Sequence, residues 1–182
     1  MQDQEKGGNR KCPEQAFPAG KTAGRLVLSN DVFFAEVEEA VAAGRSVRIM
    51  VRGTSMLPLL RSGKDEVELD GCRPEEVSVG DVLLFRYHGS YVMHRLLRIA
   101  AADAGTCGGN ACFLMRGDGS FKAREVCSAA DIVARVACVY RPSGRGIRTD
   151  SFRWRICSRL WLSTGIFRTP VLRMIHFCLR KK

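Results

Sequence analysis

Between Ser46 and Tyr140 the chain breaks into short, β-branched apolar runs separated by Gly, Pro and Asp, and this texture limits the fold more than anything else in the sequence. The runs cover residues 47–51, 66–69, 81–87, 91–99, 112–116 and 132–140. Runs of this length bounded by turn residues form strands, and six strands joined by tight turns make an antiparallel β-domain. The expectation is a mainly β fold, either a folded-over antiparallel sheet or a partly open barrel. His88-Gly89-Ser90 lies between two runs and reads as a hairpin turn.

Helical patterns flank this region. Asn30 or Asp31 can cap a helix that continues to Ala43, with Gly44 as its stop and Phe33, Val37, Ala40 and Val41 on one apolar face. After the cluster Arg141-Pro142-Ser143-Gly144-Arg145-Gly146, two helical patterns follow. Ser151 caps the first, with Phe152, Ile156, Leu160 and Trp161 on a stripe. Thr169-Pro170 opens the second, whose narrow polar face holds Arg173, His176 and Arg180. The organisation expected is a flexible leader over residues 1–29, a β-domain with its N-terminal helix over 30–141, a linker over 142–150 and a basic helical pair over 151–182.

At 182 residues and 46% hydrophobic content the chain has material for one domain with a real core. Its net charge of +10 is concentrated in residues 151–182, which carry eight Arg and Lys and no Asp or Glu. Such a tail suits an anionic partner. Nucleic acid is the weaker choice, because the tail's aromatics fall among apolar stripe positions and the single helix over 31–43 is too little for a helix-turn-helix. A membrane surface, with Trp154, Trp161, Phe167 and Phe177 burying their rings, competes with simple packing of the tail on the β-domain. No window reaches the ~18 uninterrupted apolar residues of a transmembrane helix, and no signal-type stretch opens the chain. The eight cysteines include no CxxC pair, so reduced thiols, a cytoplasmic location and at most peripheral contact with the inner face of a membrane are expected. Cys107 and Cys112 have no second Cys/His pair nearby to complete a metal site, and no cofactor is implied.

Chemistry points to Gly53-Thr54-Ser55-Met56-Leu57-Pro58 and to Val92-Met93-His94-Arg95. A serine hydroxyl is a poor nucleophile at neutral pH and needs a proton acceptor within reach, for which neutral imidazole is well matched. Of the three histidines, His94 alone would stand on a strand; His88 falls in a turn and His176 on a helix surface. The plain alternative makes Ser55 a turn hydroxyl and His94 a core residue.

Four ordered blocks sharpen the choice: the Ser55 segment, then Val79-Gly80-Asp81-Val82-Leu83-Leu84-Phe85, then Val92-Met93-His94-Arg95-Leu96, then Arg116-Gly117-Asp118-Gly119. Together, over about residues 45–140, they resemble the signal peptidase I superfamily, which also includes self-cleaving phage-type repressors. A histidine where many bacterial members carry a lysine base is similar to the archaeal and endoplasmic-reticulum type. The resemblance implies an all-β catalytic fold in which Ser55 attacks a peptide carbonyl, His94 moves the proton, and backbone amides near Ser55 form the oxyanion hole. It also implies that Met56 and neighbouring strands line a pocket for small side chains of an extended peptide, in leader or signal-type processing.

The sequence departs from the family pattern in three places. The aspartate expected a few residues beyond the Gly-Asp block is missing from Ser120-Phe121-Lys122-Ala123-Arg124-Glu125, so Asp118 or Glu125 orients His94, or neither does; Asp118, inside a matched block, is the residue chosen. Gly53 stands where several bacterial members place a hydroxyl. The family's transmembrane anchor has no counterpart here. Two other functions stay open: a non-catalytic module that holds an extended peptide by strand addition, and a membrane-surface adaptor.

Overall fold

The computed structural model describes residues 30–101, 111–120 and 124–163. They form eight strands and two α-helices. The strands are β1 (Val47–Met50), β2 (Glu66–Asp70), β3 (Val82–Tyr87), β4 (Ser90–Ala100), β5 (Cys112–Arg116), β6 (Glu125–Ser128), β7 (Ile132–Tyr140) and β8 (Gly146–Arg148). Helix α1 (Asn30–Ala42) precedes them and α2 (Phe152–Ser163) follows. All pairings are antiparallel, in the order β1-β2-β7-β3-β4-β5-β6 with β8 also on β7, and the sheet does not close.

β3 and β4 meet through a two-residue turn at His88 and Gly89, with Tyr87 paired to Ser90. Both turn residues have positive φ, 48° and 76°. That conformation matches the twist of the flanking strands, which is why His-Gly closes this hairpin. α1 stops where Gly44 turns left-handed, with Gly44 N donating to Val41 O and Arg45 N to Ala40 O. Its buried face is Phe34, Val37 and Val41, whereas Phe33, expected on that face, sits partly exposed at its edge. Phe34 stacks on Tyr91 of β4, and Tyr91 donates a 2.8 Å hydrogen bond to Glu38, tying α1 to that strand.

Alternation along β3 feeds two cores. Val82 and Leu84 join the cluster built by α1, β1, β2, β7 and Trp154; Leu83 and Phe85 join a second one with Leu96, Phe113 and Met115. Successive strand residues point to opposite faces, so a strand apolar on both is covered on both. Each such side chain is worth about 1.5–3 kcal/mol removed from water, which fixes the register of β3.

Several sequence expectations change. Residues 142–150 are not simply a linker: β8 pairs with the end of β7, a three-residue strand too short to show alternation. β6, with the sequence Glu-Val-Cys-Ser, escaped because it holds only one β-branched residue. On α2 the expected stripe is inverted except at Trp161, which turns inward to bond Asp118 O. Trp154 and Ser158 are buried, while Phe152, Ile156 and Leu160 face outward, because the domain offers the helix a buried arginine to satisfy as well as apolar surface. Trp154 therefore belongs to the core, not to a membrane. Cys112 and Cys138 are each disulfide-bonded, which corrects the reading of every cysteine as a reduced thiol; Cys72 and Cys157 are thiols. Among the described residues no helix is long and apolar enough to cross a membrane. The leader over 1–29 and the second helical pattern from Thr169 lie outside the described residues.

Candidate functional site

Ser55 rides on a loop that leaves β1 and returns to β2, closed at its base by Val51 N donating to Asp65 O (2.9 Å) and Gly63 N to Val51 O (2.8 Å). Asp65, fully buried, accepts from Arg61 N (2.8 Å) and Arg61 Nη2 (2.7 Å) and also pairs with Arg141. Burial pushes its carboxyl up, but the Arg61 hydrogen bonds and the nearby Arg141 charge more than offset this and hold it below the usual range. Within the loop Met56 and Leu60 sink into the first core, and Leu60 N donates to Met56 O (2.9 Å). The apolar residues thus pin the turn that presents Ser55, itself half-buried. Met56, expected to line a pocket for small side chains, is instead buried in the first core.

His94 projects from β4 beside the second core, buried, with its ring 6.3 Å from that of Phe85. Its Nδ1 lies 3.0 Å from Glu125 Oε2 at the start of β6. An ionised carboxylate only accepts, so in the neutral ring the proton sits on Nδ1 and Nε2 is left as the acceptor. Nε2 faces Gly117: a Cβ there would stand 2.9 Å from it and 2.6 Å from Ser55 O. The backbone carbonyl of Ser55 and the His94 ring therefore both lie against Gly117, where only glycine fits. The next glycine adds to this. Gly119 N donates to Ser55 O (2.6 Å), and a Cβ at Gly119 would fall 2.4 Å from Thr54 O.

β1 and β4 are not paired strands, since β2, β7 and β3 lie between them. It is the loop after β1 that carries the Ser55 backbone to the 117–119 turn, against which His94 Nε2 also lies. Among the described residues the Ser55 hydroxyl makes no hydrogen bond, and the Ser55 and Met56 N–H groups have no acceptor.

Asp118 does not face the imidazole. It accepts from Arg95 Nε (2.9 Å) and Nη2 (2.7 Å), with both side chains fully buried. The cause is the alternation of β4, which sends His94 and Arg95 to opposite faces and the two carboxylates with them. Arg95 Nη1 also donates to Gly80 O (2.6 Å) and Ser158 Oγ (3.1 Å), and Trp161 Nε1 donates to Asp118 O (3.2 Å). α2 thereby clamps the turn that carries Gly117. Sequence reasoning ranked Asp118 above Glu125 and gave Arg95, Gly117 and Gly119 no individual role; the acid's usual place beyond the Gly-Asp block was the signal that favoured Glu125.

A separate cleft of about 360 Å³ lies between α1 and the loop after β2, lined by Glu38, Cys72, Arg73 and Glu76 among others. Burial pushes the Cys72 thiol up to about 11, which leaves little thiolate at neutral pH and makes it a poor nucleophile. Among the described residues no three His, Cys, Asp or Glu side chains gather as a metal ion would require. Neither the models of known protein families nor the curated proteins contain a match to this chain.

Proposed function

We propose that the chain is a serine endopeptidase of the signal peptidase I type, cutting an extended peptide in leader or signal-type processing. The observation that carries this reading is the packing of the Ser55 backbone carbonyl and His94 Nε2 against the same residue, Gly117, with Glu125 on the far ring nitrogen. Ser55 Oγ attacks the scissile carbonyl carbon and gives its proton to His94 Nε2. Glu125 holds the Nδ1 proton and stabilises the imidazolium. The Ser55 N–H, which has no acceptor among the described residues, donates to the developing oxyanion, a term of about 2.7–4 kcal/mol per donor in serine peptidases. His94 then protonates the leaving amine, and water, deprotonated by His94, releases the acyl group. Among the family's variants of the third residue, the geometry favours glutamate at 125 over aspartate at 118.

A fluorophosphonate probe, which phosphonylates an activated serine oxygen with loss of fluoride, tests this directly. It is expected to add to Ser55 in the parent protein, to leave Ser55→Ala unlabelled, and to react at least about 1,000-fold more slowly with His94→Ala. Equal labelling of the parent and His94→Ala would show that the histidine is no base. Retention of peptide cleavage by both variants would remove the proposal.

A further inference from the structure

We infer that the outward face of α2 is a docking surface for an anionic lipid bilayer. Phe152, Ile156 and Leu160, spaced four apart, make one stripe along the helix and are 78%, 39% and 61% exposed. The opposite side of the helix is already committed, through buried Trp154 and Ser158 and through the Trp161 hydrogen bond to Asp118 O. The stripe is therefore not the core-facing side of α2.

At ~100° per residue, Arg153 falls just beyond one edge of the stripe and Arg159 just beyond the other, and both are exposed. An apolar strip with guanidinium groups along both margins suits a helix lying in a lipid interface: the rings and aliphatic chains enter the acyl boundary, and the arginine stems run along it to reach phosphates. Charge supplies the choice of lipid. Residues 151–182 hold eight basic side chains and no acidic one, so the whole segment is drawn to anionic headgroups. A nucleic-acid backbone would satisfy the arginines but leave Phe152 and Leu160 in water, whereas a bilayer satisfies both. Because the other side of α2 grips Arg95 and Asp118, lipid contact would set the Ser55 and His94 region beside the membrane surface. The inference stands apart from the peptidase reading, since the stripe contains no residue of that site.

The test is flotation of the full chain with vesicles of phosphatidylcholine alone and of phosphatidylcholine with one-third phosphatidylglycerol. The chain is expected to float with the anionic vesicles at low salt, not with the neutral ones, and to be released as salt rises. Both Phe152→Ser/Leu160→Ser and Arg153→Gln/Arg159→Gln, which alter only exposed side chains, are expected to raise the lipid needed for half-binding at least about tenfold while melting like the parent. Ser55→Ala is expected to bind as the parent does, which separates this inference from the fate of the peptidase proposal. Failure to float with anionic vesicles overturns the inference. So does unchanged binding by both double variants, which would move the contact to residues 164–182. A dimer in gel filtration that Phe152→Ser/Leu160→Ser dissociates would give the stripe to a second copy of the chain. A DNA duplex bound more tightly than vesicles, and weakened only by the arginine changes, would give it to nucleic acid.

Discussion

Two neighbouring residues of β4 each hold a carboxylate, and they hold it differently. Arg95 grips Asp118 through two parallel hydrogen bonds with both groups removed from water, and Gly80, Ser158 and Trp161 bond to the same pair. His94 meets Glu125 through one contact at Nδ1 and keeps its other nitrogen turned toward Gly117. A guanidinium never gives up its proton at ordinary pH and matches a carboxylate fork for fork, so the first pair can only hold shape. An imidazole exchanges protons near neutrality, so a carboxylate on one nitrogen prepares the other for chemistry. The contrast teaches that one strand can supply both a brace and the candidate base of the proposed site, each on its own face.

The sharpest way to break this contrast is to neutralise each carboxylate in turn. Glu125→Gln is expected to lower kcat about 100- to 10,000-fold while the protein melts nearly as before, because the imidazole loses its tautomer control and little packing. Asp118→Asn is expected to destabilise the fold by about 3–5 kcal/mol, as it leaves Arg95 buried without its counter-charge. Turnover and denaturant unfolding of the two variants decide the matter. If Asp118→Asn keeps its stability and loses only kcat, the brace and the orienting group have been assigned the wrong way round.

Gly117→Ala probes the point where the two faces of the site meet. Its methyl group would overlap Ser55 O and His94 Nε2, so kcat is expected to fall about tenfold or more through displacement of the base. Wild-type turnover in Gly117→Ala would show that the 117–119 turn has no part in positioning.

Asp65 extends the comparison to a second carboxylate held by arginines, this time at the base of the Ser55 loop. Its folded value is depressed, so the stability it contributes is fully present above the unfolded carboxylate value of about 3.9 and is lost as pH falls through the lower folded value. In urea melts, the stability gap between the parent and Asp65→Asn is therefore expected to be widest near pH 6 and to narrow toward pH 2. A gap that stays constant down to pH 2 would mean that the ionised form of Asp65 contributes nothing.

Much of the β-domain was legible in the sequence. The runs at 112–116 and 132–140 coincide with β5 and β7, and the His88-Gly89 turn joins β3 to β4 as the pattern required. These features are local: alternation, turn chemistry and helix stops act within a few residues. β8 was invisible because three residues carry too few alternations, and β6 because Glu-Val-Cys-Ser, unlike the equally short Val-Arg-Ile-Met of β1, holds no β-branched apolar run; partner strands alone define them. For the site, Ser55 and His94 were picked out by residue type and block order. The acid was not settled, since Asp118 and Glu125 both fall within the span a few residues either side of the expected place. The choice rests on which face of β4 each carboxylate meets, a property of pairing across β5 that no short window contains.

The sequence by itself determined that this chain is mainly β and which segments turn, and it singled out Ser55 and His94 as the candidate pair. Only the tertiary structure decided which carboxylate joins the histidine, which side of α2 faces the core, and that Gly117 sits between the two arms of the site. Local pattern fixes how each segment bends and which side chains seek water. Partnership across a sheet depends on register and on the alternation of faces, and these are set by all the strands together.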